Sequence, residues 1–269
     1  MPEGHTVHRL AADHLGLFEG QRLGVTSPQG RFAAGAALVD GRVLERTDAH
    51  GKHLFLGFEG RRWVHVHLGL YGKIAFGRLP VPPSRGAVRM LLTGRTHYAE
   101  LRGPTACELV TDAEKAAVAA RLGPDPLRAD ADPERAWQVV SRSRAPIAAL
   151  LTDQAVVAGV GNVYRAEVLF RHGIDPARAG RDLARAEWDA IWADLVTLMR
   201  QGVERNRIDT VCPEHTPEAM GRPARQDAHG GEVYVYRRAG QPCLVCGTTV
   251  RTEPLRARNL FWCPRCQGR

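Results

Sequence analysis

The residues of this chain that could do chemistry begin at its start, Met1-Pro2-Glu3-Gly4-His5-Thr6. With Met1 removed, Pro2 carries a terminal secondary amine. Terminal amines have a reference pKa of roughly 7.7–8, so some are unprotonated near neutrality and can attack an electrophilic carbon. Glu3 would put a carboxylate beside that amine. The same two residues also suit an ordinary helix start, Pro2 at the first helical position and Glu3 in a first turn favoured by the helix dipole. Near the other end, Cys243 and Cys246, then sixteen residues, then Cys263 and Cys266 form two C-x2-C pairs. That spacing sets four thiolates around one tetrahedral zinc ion, and four thiolates leave no open coordination position, so the ion would be structural. Cys107 and Cys212 stand apart, one as a small buried apolar residue and the other as a loop thiol.

Three weaker signals lie between. Gly159-Val160-Gly161-Asn162 falls between two helical stretches. A helix N-terminus flanked by glycines exposes backbone N–H groups to an anion, with Asn162 adding a donor; an ordinary N-capping Asn would have the same sequence. Lys52 follows Gly51 and precedes a strand, where a lysine is commonly a solvated edge residue. Gly69-Leu70-Tyr71-Gly72 is a tight turn that would push Leu70 and Tyr71 outward for a base to stack on, unless the turn folds back on the core.

The elements that must position these residues can be read from periodicity. The N-terminal segment repeats apolar residues at helical spacing (Val7, Leu10, Ala11, His14 or Leu15, Phe18) until Gly20 ends it. Short β-branched or aromatic runs at 21–27, 40–47, 53–58, 62–68, 73–77, 88–93, 96–101 and 106–110, separated by turn residues, then predict a sandwich or barrel. A helix over 112–122, opened by Asp112, leads to Gly123-Pro124-Asp125-Pro126, a rigid break suited to a linker. Helical spacing returns at 133–142, 146–153, 162–171 and 182–205. Residues 206–232, with His215 and His229, show little periodicity and read as a long mobile loop. A zinc-pinned hairpin closes the chain, its arms Thr248–Arg251 and Leu260–Trp262, as a separate small module held chiefly by its ion.

Composition sets the class. A length of 269 residues with 44% hydrophobic content suffices for one large or two medium domains. Lys plus Arg number 37 against 29 Asp plus Glu, a net charge of +8. An excess of that size suggests a polyanionic partner, usually nucleic acid, although a merely basic soluble surface would give it too. There is no apolar run of spanning length and no secretory order at the start, so no membrane is expected and the cytoplasm is the expected compartment. Disulfides rarely persist there, which fits cysteines used as ligands or thiols.

Taken in order, Pro2-Glu3-Gly4, a β-rich first half, Lys52, the Leu70-Tyr71 turn, Gly159-Val160-Gly161-Asn162 and a terminal four-Cys finger resemble the formamidopyrimidine-DNA glycosylase and endonuclease VIII family over essentially the whole chain. Gly4 looks like the endonuclease VIII branch. The resemblance implies an α+β fold: an N-terminal catalytic β-sandwich domain opened by a helix (1–122), a linker (123–128), a helical helix–two-turn–helix domain (129–236) and a C-terminal zinc-finger β-hairpin (237–269). It implies a bifunctional DNA glycosylase and abasic-site lyase of base-excision repair. Pro2 would be the nucleophile at C1′, Glu3 the neighbouring acid/base and Lys52 the lysine acting at the sugar. Arg258 would join the catalytic set from the finger tip, holding phosphates near the lesion together with Asn162. Leu70 and Tyr71 would fill the gap left by a flipped nucleotide. One structural zinc, no organic cofactor, a damaged-DNA partner (duplex, bubble or single-stranded), a monomer and a cytoplasmic, nucleoid-associated location complete the expectation. Two departures bear on substrate: His5-Thr6 stands where the family often has Pro-Glu, and Gly69 where many endonuclease VIII members have Gln. With Gly4 and the polar 206–232 segment, the expected substrates are oxidised pyrimidines; oxidised purines, or damaged-DNA binding without catalysis, are the other readings.

Overall fold

The structure, a computed structural model, describes residues 2–83, 86–227, 231–256 and 258–268; Met1 and His229 lie outside them. It divides into two compact units, 1–121 and 122–269.

The first unit is a β-sandwich with helix α1 (Gly4–Phe18) set on it. One sheet has the order β1-β6-β7-β5 and the other β2-β3-β4-β8, all pairs antiparallel. The strands are β1 (Gly24–Thr26), β2 (Leu44–His50), β3 (His53–Phe58), β4 (Arg62–His67), β5 (Lys73–Arg78), β6 (Val88–Thr93), β7 (His97–Arg102) and β8 (Ala106–Val110). Alternation sends Leu54, Leu56, Val64 and Val66 inward to meet Met90, Leu92, Ala99 and Leu101 from the opposite sheet. Val7, Leu10, Ala11 and Phe18, spaced three, one and seven apart on one helical face, join the same core. Each large side chain among them contributes up to about 1.5–3 kcal/mol by leaving water.

Three local readings are corrected. Helix α2 (Ala33–Val39) occupies an Ala-rich stretch without a strong apolar period, so helix propensity formed it where the pattern was silent. The second strand starts at Leu44 and runs to His50, because Gly41 takes a left-handed turn (φ +68°) first. Helix α3 (Asp112–Ala120) is capped by Thr111, not Asp112: the Thr111 hydroxyl accepts from the Glu114 N–H while the Glu114 carboxylate accepts from the Thr111 N–H.

The second unit is helical: α4 (Pro133–Val140), α5 (Ile147–Leu150), α6 (Asn162–Arg171), α7 (Arg185–Arg205) and α8 (Pro217–Met220). Strands β9 (Arg251–Leu255) and β10 (Arg258–Trp262) pair antiparallel, and the first arm lies three residues later than the sequence suggested. The hairpin is not a separate module. Leu260, Phe261, Trp262, Cys243 and Cys263 belong to one continuous core with Tyr164, Phe170, Trp188 and Leu195. The segment expected as a long loop over 206–232 has local structure in its described part, 206–227 and 231–232, while 228–230 lie outside the described residues. It contains a 3-10 turn at Pro213–His215 and α8, capped by the Thr216 hydroxyl. Buried Glu232 accepts from Arg222 at 2.7 Å and from the Arg225 N–H at 2.6 Å. Side-chain hydrogen bonds of this kind give a segment a fixed path that periodicity cannot show.

Candidate active site

In the first unit, α1 begins at Gly4, with Glu3 in an extended conformation (φ −112°, ψ 179°) as the residue before it. Pro2 is therefore outside the helix rather than at its first position, and Glu3 is not in the first turn. The Glu3 carbonyl accepts the first helical bonds, from Thr6 (3.0 Å) and Val7 (3.4 Å), while its side chain makes no capping bond and is 1% exposed. His5 is buried as well, and desolvation pulls its imidazole down to about 4.

Two features fix α1 against the hairpin β2–β3: its apolar face, and a bond of 2.9 Å from the Thr47 hydroxyl to the Ala11 carbonyl. That hairpin closes through Gly51-Lys52, with His50 paired to His53. Gly51 sits at φ +58°, as the first position of a two-residue type II′ hairpin turn requires. Lys52 is thus on a hairpin tip in the same unit as the terminus. Leu70 and Tyr71 are 61% and 87% exposed on the turn between β4 and β5, which the Gly72 N–H closes onto the Leu68 carbonyl at 3.0 Å. The turn does not fold back on the core. Gly69 has φ +66°, and a Cβ there would collide with the Thr105 hydroxyl, so this turn excludes a side chain at that position.

The sequence reading missed a histidine set next to Lys52. His67 Nδ1 donates to the Lys52 carbonyl at 3.0 Å, and His53 and His65 lie beside it. Its signal was present as His65-Val66-His67, since alternate residues on a strand share a face.

In the second unit, Gly159 (φ +88°) and Gly161 lead into α6, and Gly161, not Asn162, is the N-cap. The Gln154 side chain holds this loop, accepting from the Gly159 N–H at 3.0 Å and donating to the Val160 carbonyl at 2.9 Å. Asn162 Nδ2 donates to the Asn259 carbonyl at 3.0 Å, Arg165 donates to the same carbonyl at 2.9 Å, and Arg165 also donates to Asn162 Oδ1. Asn162 is therefore tied to β10 one residue beyond Arg258. Arg258 opens β10, and its Nη1 is buried with no hydrogen-bond partner among the described residues. An orphaned guanidinium nitrogen is a donor awaiting an acceptor.

Glu167, fully buried on α6, was also missed. Its carboxylate accepts from the N–H groups of Tyr234, Val235 and Tyr236 at 2.7–2.9 Å and from the Thr210 hydroxyl at 2.6 Å. The four sulfurs of Cys243, Cys246, Cys263 and Cys266 lie within 4.8 Å of one another, with contacts of 3.9 and 3.4 Å. Thiolates about 2.3 Å from a tetrahedral zinc stand roughly 3.8 Å apart, so the donor set fits that ion. Burial pushes the Cys107 thiol up to about 12, which makes it unreactive; Cys212 takes a 3.6 Å contact from Arg171. No helix of the described residues is long and apolar enough to cross a membrane.

Residues 1–107 match the formamidopyrimidine-DNA glycosylase N-terminal domain, 122–212 its H2TH domain, and 240–268 the zinc finger found in FPG and IleRS. Endonuclease 8 1 of Mycobacterium tuberculosis is 54% identical over 99% of this chain and 100% of its own. The chain belongs to the formamidopyrimidine-DNA glycosylase and endonuclease VIII family. Within that family of DNA glycosylases it is also 32% identical to the formamidopyrimidine-DNA glycosylase of Parasynechococcus marenigrum, over 100% of this chain and 99% of the relative. Among solved family structures, the Thermus thermophilus protein superimposes with a TM-score of 0.74 at 28% identity, covering 99% of each chain. A complex between the Lactococcus lactis protein and DNA containing an abasic site gives 0.80 at 18% identity, over 99% of this chain and 100% of that one, and shares the fold.

Proposed function

We propose that this protein is a bifunctional DNA glycosylase and abasic-site lyase that removes oxidised pyrimidines through an imine on Pro2. The observation that carries the reading is at the terminus: Pro2 precedes α1 and Glu3 is buried without capping it. Neither residue lies in the first turn, and with Met1 removed an amine would stand next in sequence to a carboxylate.

The chemistry follows from those groups. The lesion must first leave the stack, at a cost of roughly a few kcal/mol that base damage lowers. The Pro2 nitrogen then bonds to C1′ as the C1′–N bond to the base breaks, the base leaving with a proton, and Glu3 and Lys52 assist at the opening sugar. The resulting iminium acidifies the C2′ proton. Its loss expels the 3′ phosphate, and a second elimination expels the 5′ phosphate, with no external cofactor. Arg258 would give its orphaned nitrogen to a backbone phosphate, and Asn162 holds the strand that carries it. Leu70 and Tyr71, held outward, suit the space a flipped nucleotide leaves. The four cysteines would hold one zinc ion, which supplies no reactive position and keeps the hairpin closed. Endonuclease 8 1, at 54% identity, favours the endonuclease VIII branch, as Gly4 does.

Borohydride trapping on a panel of lesion oligonucleotides tests this reading. A covalent adduct on the Pro2 amine is expected at abasic sites, and thymine glycol and 5-hydroxyuracil should be excised well ahead of 8-oxoguanine paired with C. Undiminished trapping by a protein with a blocked N-terminus would move the nucleophile elsewhere, and a clear preference for 8-oxoguanine would overturn the substrate class.

A further inference from the structure

The histidines beside Lys52 form a chain with a direction. Alternation places His53, Phe55, His65, His67 and Glu108 on the face of the β2-β3-β4-β8 sheet opposite the core that α1 covers. His53 is registered opposite His67, and His65 opposite Glu108. Glu108 Oε1 and His65 Nδ1 are 2.9 Å apart, and His65 Nε2 and His53 Nδ1 are 2.8 Å apart. The His53 ring stacks on His67 at 4.7 Å and on His65 at 5.1 Å, and Phe55 stacks on His65 at 4.9 Å. His67 then meets the Lys52 carbonyl.

Donor and acceptor rules fix every tautomer. A carboxylate only accepts, so His65 carries its proton on Nδ1 and offers a lone pair at Nε2; His53 must therefore donate from Nδ1. A carbonyl also only accepts, so His67 donates from Nδ1. Burial keeps His53 neutral, pulling it down to about 3 with His67, His65, His50 and Arg121 adding to the effect. His65 is lowered by burial as well, against the opposing pull of Glu108 and with His67 and Arg121 lowering it further. Lys115, facing Phe55 from α3, is engaged by Asp48 at 2.6 Å. The result is a hydrogen-bonded Glu108–His65–His53 run with one permitted arrangement, whose last ring stacks on the His67 that donates to the Lys52 carbonyl.

We propose that Glu108, His65 and His53 are positioning residues for Lys52: they hold the His67 ring on the Lys52 carbonyl and so fix the Gly51-Lys52 turn from which the amine reaches the sugar. This rests on the reading of Lys52 as an acting group. The His67 bond is a direct hold on the backbone of the tip, and a displacement of about 1 Å at a reacting group can cost on the order of 100-fold in rate. Glu108 lies at the exposed end of the chain, with its side chain 57% accessible, so it can be changed without opening the core.

The test is single-turnover β-elimination on an abasic-site oligonucleotide, with the full chain carrying Glu108→Ala, Glu108→Gln, His65→Leu or Lys52→Ala, and with the first and third combined with the last. Losses of roughly 3–10-fold for Glu108→Ala and 10–100-fold for His65→Leu are expected, with DNA affinity unchanged within about twofold. Glu108→Gln, whose carbonyl oxygen still accepts from His65, should restore most of the rate. In the Lys52→Ala background neither change should cost anything further. Losses that multiply in that background, or single variants with unchanged rates, overturn the positioning role. An unchanged rate for Lys52→Ala alone overturns the role of Lys52 itself. Should His65→Leu fail to fold, nitrogen NMR of the wild-type imidazoles decides: the Nδ1–H tautomer is expected at His53, His65 and His67, and an Nε2–H tautomer at His53 or His65 would break the chain.

Discussion

Replacing His14 with leucine should change stability in opposite directions at pH 8 and at pH 5. His14 is fully buried on α1; its Nδ1 donates to the Leu10 carbonyl at 2.6 Å, its ring meets the edge of Phe76 at 4.8 Å, and its Nε2 has no partner among the described residues. Desolvation lowers its pKa from 6.5 to about 4. Between those values the unfolded chain binds a proton that the folded chain refuses. The stability this residue allows is therefore complete above pH 6.5 and is lost as pH falls toward 4. At pH 5 the loss is about 2 kcal/mol. Leucine does not titrate and so escapes it, at the cost of one hydrogen bond worth about 1 kcal/mol at every pH. His14→Leu should thus be about 1 kcal/mol less stable than wild type at pH 8 and about 1 kcal/mol more stable at pH 5. Urea titrations at both values, read by pulse proteolysis on peptides from residues 2–83, measure it. Parallel pH dependences for the two proteins would refute a buried neutral imidazole under α1. The consequence reaches function, because the helix that acid loosens is the one that Pro2 and Glu3 lead into.

Two further outcomes concern the second unit. Zinc should copurify at one equivalent per chain. Cys246→Ser should lose the metal, most DNA affinity and the thermal transition of the helical unit, since structural zinc binding of about 10–16 kcal/mol exceeds what a domain of this size holds in reserve. Retained affinity in a metal-free protein would exclude the hairpin from DNA binding. Glu167→Ala should prevent the helical unit from folding at 37 °C, because it strands three buried backbone donors at about 1–3 kcal/mol each; a melting temperature within about 5 °C of wild type would contradict that.

What could be read from the sequence, and what could not, divides by the range of the interactions. The eight strands and the helices α1, α6 and α7 were legible because each has an apolar face with its own period, and the core selects for that face. The zinc ligands were legible because a C-x2-C pair encodes its geometry in four residues. Glu167, Gln154 and the Glu108–His65–His53 chain were not, since each joins residues between 5 and 69 positions apart, and only the folded backbone brings them together. Gly69 shows a third case. As a letter it looked like the loss of a void-filling side chain, whereas its left-handed backbone and the Thr105 hydroxyl show that the turn itself demands glycine.

Helix α6 explains why the zinc hairpin belongs to its unit rather than hanging from it. Asn162 and Arg165, three residues apart, lie one turn from each other and both hold the Asn259 carbonyl of β10. Glu167 holds the Tyr234–Tyr236 segment that leads toward Cys243. One ten-residue helix therefore grips the hairpin at its second strand and at its approach, while Leu260, Phe261 and Trp262 fill the core beneath. The four cysteines, whose spacing fits a zinc ion, lie at the base of the same hairpin. Arg258 is thereby the neighbour of a clamped residue, so a phosphate met by its orphaned Nη1 would be met by a donor whose backbone is already ordered, with little entropy left to lose on binding.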